Sequence, residues 1–245
     1  MKQILFFAVF LCIAALFLTA CDADDTVNNQ EEQGDIMKLD DMDIDWLNHA
    51  SVKIKGSKIV YFDPYNIHED EKADLILITH AHYDHCSIND VKRIAKEDTI
   101  IVTVPDCQSK LAGLKVKNVT LVSPGNKVRI GEIVIEAIPA YNIEKQYHPK
   151  ENEWVGFVLE MDGKRFYHAG DTDKIPEMKG LKNIDVAFMP VGGTFTMDAK
   201  EAAEACSMFK PKVAVPIHYG DVVGDASDAR LFKELATDCE VEILG

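Results

Sequence analysis

The segment His80-Ala81-His82-Tyr83-Asp84-His85 gathers three imidazoles and a carboxylate within six residues. Imidazole nitrogen and carboxylate oxygen are the ligands taken by zinc and other borderline divalent ions. In an extended turn, residues two apart point the same way, so His80 and His82 can grip one ion. Asp84 and His85 can serve a second ion beside it. A water shared by two such ions loses a proton near neutral pH and becomes a nucleophile, while the ions polarise a scissile carbonyl or phosphoryl oxygen. The chemistry expected from this string is metal-assisted hydrolysis.

Such a string needs rigid support. Asp74–Thr79 runs directly into it as a continuous apolar stretch of strand length, the pattern of a buried strand. Ser87-Ile88-Asn89-Asp90 follows with capping-box character, and Ile88, Val91, Ile94 and Ala95 then fall at helical spacing. Upstream, Ile44–Asn48 and Val52–Lys55 read as short strands, and Lys58–Phe62 follows across the Gly56-Ser57 turn. Downstream, Thr99–Val104 is a β-branched strand, and Lys127–Ile130 and Ile133–Ile138 flank Gly131-Glu132. Trp154–Glu160 and Lys164–His168 flank Asp162-Gly163, a strong hairpin signal. Ile184–Met189, Val213–Ile217 and Val241–Leu244 read as further strands. Thr196 is expected to cap a helix reaching about Phe209, and Asp228–Ala236 to form another. Each half mixes hairpins with strand–helix units, which argues an α/β fold with a mixed sheet in each half. No short sequence repeat marks the two halves.

The H-x-H-x-D-H string at a strand exit resembles the signature of the metallo-β-lactamase superfamily. Tyr167-His168-Ala169-Gly170-Asp171-Thr172 is similar to its G-D-T segment, and Val215-Pro216-Ile217-His218-Tyr219-Gly220 to its last strand. Asn48-His49-Ala50-Ser51, Phe62-Asp63-Pro64 and Gly192–Met197 resemble segments of one branch. That branch includes ascorbate phosphate lactonases, N-acyl phosphatidylethanolamine phospholipases and uncharacterised metal-dependent hydrolases. The resemblance spans about Ile44 to Gly245.

It implies a four-layer αββα sandwich, with two mixed sheets inside and helices outside. It also implies two divalent ions, zinc first, with manganese and iron as alternatives. His80 and His82 would hold the first ion, Asp84 and His85 the second; Asp171 would bridge, and His218 would complete the second site. Asp84 would also orient the attacking water as a catalytic residue. The family's third imidazole for the first ion usually stands near Pro139–Asn142. Asn142 occupies that place here, and His148 lies six residues further on. Either His148 swings in, the favoured expectation, or the first site lacks one imidazole. His49, the other candidate catalytic residue, is expected to touch substrate or act as an acid; a structural bond between strands is the alternative. Asp63 is expected to orient a ligating histidine. His168 reads as structural and His68 as solvated. Gly192–Met197 precedes a helix N-terminus, and either lines the pocket or forms a capped turn. Di-iron redox relatives on this fold tend to carry glutamate where this chain has His82, which argues against that chemistry.

Met1–Ala20 is expected to lie outside the fold. Lys2 precedes the apolar run Ile4–Leu18, about the length of a signal-peptide core. The run ends Leu18-Thr19-Ala20-Cys21, which resembles the lipobox of bacterial lipoproteins; an ordinary signal peptide with a chance cysteine is the alternative. A lipidated Cys21 would anchor the protein to the membrane. Residues 21–43 are rich in Asp, Asn, Gln and Glu and read as a flexible tether, leaving 44–245 as the hydrolase domain. The 245-residue chain has a net charge of −15, which repels nucleic-acid phosphates and argues against a nucleic-acid partner. It does not exclude a small anionic substrate, because bound metal inverts the local field. Cys86, Cys107, Cys206 and Cys239 show no disulfide-framework spacing, and Cys86 reads as a buried thiol.

The functional expectation is an exported, membrane-tethered hydrolase. Its substrate would be a small-molecule or lipid-like ester, lactone, amide or phosphodiester. A β-lactam hydrolase is the second enzymatic reading. The alternative of a different class is a non-catalytic metal- or ligand-binding lipoprotein on the same fold, supported by the histidine missing near Asn142.

Overall fold

Short apolar and alternating runs build two seven-stranded sheets in the computed structural model, which describes residues 36–245. The first sheet holds, in spatial and chain order, β1 (Met37–Leu39), β2 (Met42–Asn48), β3 (Ser51–Lys55), β4 (Ile59–Phe62), β5 (Leu75–Ile78), β6 (Ile100–Thr103) and β7 (Asn118–Leu121). The second holds β8 (Lys127–Ile130), β9 (Ile133–Pro139), β10 (Val155–Met161), β11 (Lys164–His168), β12 (Val186–Pro190), β13 (Val213–Ile217) and β14 (Glu240–Val241). In each sheet the first four strands pair antiparallel, and the last three add on in parallel. The halves therefore share one topology, although no sequence repeat betrays it. Antiparallel neighbours close through tight turns, except β9 and β10, which the long 140–154 loop joins; parallel neighbours need crossovers. α-Helices serve four of the six: α1 (Ile88–Ile94), α2 (Gln108–Leu111), α3 (Ala199–Phe209) and α4 (Ala226–Leu235).

The second sheet is buried on both faces. Phe157, Leu159, Phe166, Val186 and Phe188 join a core with Ile44, Val52, Phe62 and Leu77 of the first sheet. Their sequence neighbours Val158, Tyr167, Ala187 and Met189 pack instead with Ala202, Phe209 and Phe232 of α3 and α4. This is the period of two expected of strands covered on both sides. The result is the αββα sandwich. His168 links its two inner layers: its Nε2–H donates to the Ala50 carbonyl at 2.8 Å, and its ring stacks on Phe62 at 5.1 Å. Burial holds its pKa below the ordinary value, so the ring stays neutral.

Several boundaries differ from expectation. Residues 37–43, expected as the end of a tether, are instead ordered into the first sheet: Met37 and Met42 are buried, and Met37–Leu39 pairs with the start of β2. The expected signal segment, 1–20, Cys21 and the expected tether up to residue 35 lie outside the described residues. The long helix is capped by Asp198, not Thr196: Asp198 accepts from the Glu201 N–H at 2.8 Å, and Glu201 accepts from the Asp198 N–H at 3.1 Å. Ser87 makes no capping bond to the backbone; its hydroxyl donates to Asp90, which also accepts from the Asn66 N–H.

Two glycines allow close backbone approach beside the strand ends that matter below. A Cβ on Gly156 would lie 2.5 Å from the Ala169 carbonyl oxygen, and one on Gly192 would lie 2.4 Å from that of His218. Gly156→Ala is therefore expected to destabilise the protein by about 1–3 kcal/mol, since rigid backbone must shift. Urea unfolding measures this, and an unchanged midpoint would show that the approach is slack.

Candidate metal centre

The carboxyl ends of parallel strands gather at one edge of the sandwich, where α/β sheets generally place their ligands. Asp63 follows β4, His80 follows β5, Asp171 follows β11, and His218 follows β13. The two sheets are hydrogen-bonded to each other there. The Val155 N–H donates to the Thr79 carbonyl at 3.3 Å, and the His218 N–H to the His49 carbonyl at 2.7 Å. His49, Asp63 and His218 all adopt positive φ (48°, 41° and 60°). Such backbone costs on the order of 1 kcal/mol per non-glycine residue and persists where surrounding contacts enforce it.

Two groups of potential ligand atoms form, each within 4.8 Å: His80, His82, His148 and Asp171, and His49, Asp84, His85 and His218. Asp171 stands between them. Its Oδ2 is 3.1 Å from Nε2 of His148 in one group and 3.1 Å from Nε2 of His218 in the other. Its Oδ1 is 3.2 Å from Nε2 of His85. These approaches are off the hydrogen-bond direction. Nε2 of His80, His85 and His148, both ring nitrogens of His218, and Asp171 Oδ1 are all buried without a hydrogen-bond partner. Each unpaired buried polar atom costs about 1–3 kcal/mol. The donors from five different residues that meet here fit divalent ions, and the imidazole–carboxylate set of His80, His85, His148, His218 and Asp171 suits zinc and its borderline neighbours.

A second layer fixes the ring orientations. Asp63 accepts from the Thr79 N–H and hydroxyl, each at 2.7 Å, and from His85 Nδ1–H at 2.8 Å. The Thr79 hydroxyl in turn accepts from His80 Nδ1–H at 3.0 Å. One carboxylate thus sets two imidazoles with Nε2 directed inward. Asn142 does the same for His148. Its Oδ1 accepts from the His148 backbone N–H at 3.0 Å and lies 3.1 Å from His148 Nδ1. The Phe195 carbonyl is also 3.1 Å from that nitrogen and accepts from Asn142 Nδ2 at 2.9 Å.

Of the expected site residues, His80, His82, Asp84, His85, His148, Asp171 and His218 come together. His148 enters the first group, and Asn142 stands behind it. His49 is wholly buried beneath Asp84, with Nε2 3.3 Å from Asp84 Oδ2, and is not among the residues that line the cavity. His68 is exposed. Cys86 is a buried free thiol, as expected. Thr79 and Trp154 also belong to the site, although no sequence pattern marks them. The Trp154 ring lies 4.7 Å from both His80 and His82, but as a strand-initiating aromatic it carried no distinguishing signal.

Burial opposes charge throughout. It holds His80 well below its ordinary pKa, helped by His85 and His148, and also lowers His82 and His49. At His85 burial is overruled by Asp171 and Asp63, which raise its pKa. Asp171 is held well below the carboxylate range, against its burial, by His218, His85 and His148. Asp84 is likewise brought down, against burial, to about 2 by the bond from His49 and the charge of His85. Neutral His80 and His82 suit ligation, which needs unprotonated imidazole. A cavity of about 460 Å³ opens onto His82, Asp84, His148 and Asp171.

Residues 43–218 match a family model described as a β-lactamase superfamily domain. A UPF0173 metal-dependent hydrolase from Thermococcus onnurineus is 37% identical over 213 residues, covering 81% of this chain and 94% of its own length. Another, from Archaeoglobus fulgidus, is 34% identical over 224 residues, covering 83% and 96%. Among solved structures, a candidate metal-dependent hydrolase from Parabacteroides distasonis matches at a TM-score of 0.75 and 35% identity, covering 86% of this chain and 97% of that one. Igni18, a metallo hydrolase from Ignicoccus hospitalis, shares the fold at a TM-score of 0.66 and 24% identity, covering 82% and 93%.

Trp154 gives the first ligand group an optical reporter, best isolated in a Trp46→Phe background. In that background, Asn142→Ala is expected to weaken zinc uptake by about 10–100-fold, since His148 loses its orienting partner. A fluorescence titration superimposable on that of the parent would remove Asn142 from this role.

Proposed function

Because the chain belongs to the β-lactamase superfamily, and within it to the UPF0173 metal-dependent hydrolases, we propose that it is a hydrolase working through two divalent ions, zinc first. The observation that carries this reading is Asp171, one carboxylate within 3.2 Å of imidazoles from both ligand groups, beside a cavity. His80, His82 and His148 would hold the first ion and Asp84, His85 and His218 the second, with Asp171 as the carboxylate between them. Bound there, the ions supply the Lewis acidity that acidifies a water and polarises the scissile bond.

The chain's own groups do the rest. Asp84 lines the cavity and is ionised, so it can accept a hydrogen bond from the attacking water and aim its lone pair. His49 holds Asp84 from below and acts as a positioning residue. The bond cleaved is an ester, lactone, amide or phosphodiester of a small-molecule or lipid-like substrate. The proximity of His148 to His80, His82 and Asp171 favours this reading over a non-catalytic lipoprotein. The N-terminal apolar run and Cys21 support an exported protein tethered through a lipidated cysteine, and the acidic net charge supports the absence of a nucleic-acid partner.

The test strips the purified protein with chelator, restores zinc, manganese or iron(II), and screens esters, lactones, amides and phosphodiesters. Hydrolysis should vanish on stripping and return with metal. Asp84→Asn should lower kcat by about 100-fold or more. His49→Ala should keep both ions and lower kcat by about tenfold with KM unchanged, the mark of a positioning role. Metal-replete protein that cleaves none of these bonds would overturn the hydrolase reading.

A further inference from the structure

The walls of the cavity beyond the ligating side chains are Tyr83, Gln146, Tyr147, Phe195 and Val222. No lysine or arginine lines it among the described residues. The cations of the surrounding loops are engaged elsewhere. Lys145 Nζ donates to Asp173 Oδ1 and to the Thr196 carbonyl, each at 2.7 Å, and Lys110 Nζ donates to the Ala81 carbonyl. The charged neighbour of Val222 is Asp221, held by Asn48 at 3.1 Å, which adds negative potential at the rim.

Aromatic rings come from both halves of the fold. Tyr83 meets Tyr65 edge-on at 5.8 Å, and Tyr147 meets Phe195 edge-on at 4.8 Å. Tyr83 is 62% exposed, Tyr147 is 44% exposed, and Ile143 in the same loop as Tyr147 is 58% exposed. Large apolar side chains left in water at the mouth of a cavity mark a surface that gains by covering apolar groups. A phosphate or carboxylate held away from the ions would find no fixed positive partner there, and losing its hydration uncompensated is costly.

From this we infer that the substrate portion flanking the scissile bond is uncharged and apolar, an aryl or acyl group received between the Tyr83 and Tyr147–Phe195 rings. The inference rests on the hydrolase reading and narrows it. It disfavours substrates that carry a remote phosphate or carboxylate, and leaves open whether the apolar group belongs to a soluble aryl compound or to a lipid.

The experiment uses zinc-loaded protein and matched pairs: a neutral aryl ester or lactone against its para-carboxylate analogue, and a long-chain acyl ester in neutral vesicles. The neutral aryl compound should exceed its anionic partner in kcat/KM by about tenfold or more, a gap set by the uncompensated desolvation of the carboxylate. Tyr147→Ala and Phe195→Ala should raise KM for the neutral member, while Val222→Arg should narrow the gap by improving the anionic one. Preference for the soluble aryl compound or for the vesicle-borne ester identifies the source of the group. Calorimetric binding of a neutral aryl hydroxamic acid and its para-carboxylate counterpart runs in parallel, so the preference is read even without turnover. Tighter binding of the neutral probe with no bond cleaved would sustain this inference and sink the hydrolase reading. Equal or tighter binding of the anionic probe would overturn the inference whatever the turnover.

Discussion

The buried Asp171 carboxylate and the imidazoles packed round it set the terms for the rest of the molecule. Their lone pairs converge without hydrogen-bond partners, an arrangement that water-excluded polar atoms tolerate poorly. Only a rigid frame holds such groups together, and the sandwich supplies it by driving several parallel-strand carboxyl ends to one edge. The backbone bonds Val155–Thr79 and His218–His49 then tie the two sheets together beside the cluster. The close approach at Gly156 and Gly192, and the left-handed backbone at His49, Asp63 and His218, belong to the same compromise. Local strain is accepted where the ligands must converge.

The second layer divides the labour between two residues. Asp63 serves both sides of the centre, reaching His85 directly and His80 through the Thr79 hydroxyl. Asn142 serves His148 alone. Its neutral amide accepts from His148 on one side and donates to Asp173 and the Phe195 carbonyl on the other. The loop bearing Phe195 thereby becomes part of the first ligand group while its ring faces the cavity. Substrate wall and metal support are built from one stretch of chain.

Much of this was legible because it is local in sequence. His80, His82, Asp84 and His85 share one turn at the end of an apolar strand, and strand type followed from alternation and turn residues. Asp171 and His218 are far apart in the chain and came through resemblance to known segments. The choice between His148 and Asn142 could not be read from pattern, because residues 144–153 have no periodicity and their path depends on packing against Phe195 and Asp173. The first strand hid because two methionines stand among acids. Thr196 and Asp198 are both good caps two residues apart, within the ordinary uncertainty of helix ends. His49 carried the right chemistry, but its depth beneath Asp84 is a tertiary fact with no sequence signature.

The most direct test of the central claim is metal content per chain in the native protein and in His148→Ala. Two ions per chain in the native protein, falling to about one in the variant, is the expected result, because the loss of one imidazole should empty the first ligand group and spare the second. One ion or none in the native protein, unchanged by the substitution, would contradict the dinuclear centre and with it the bridging role of Asp171.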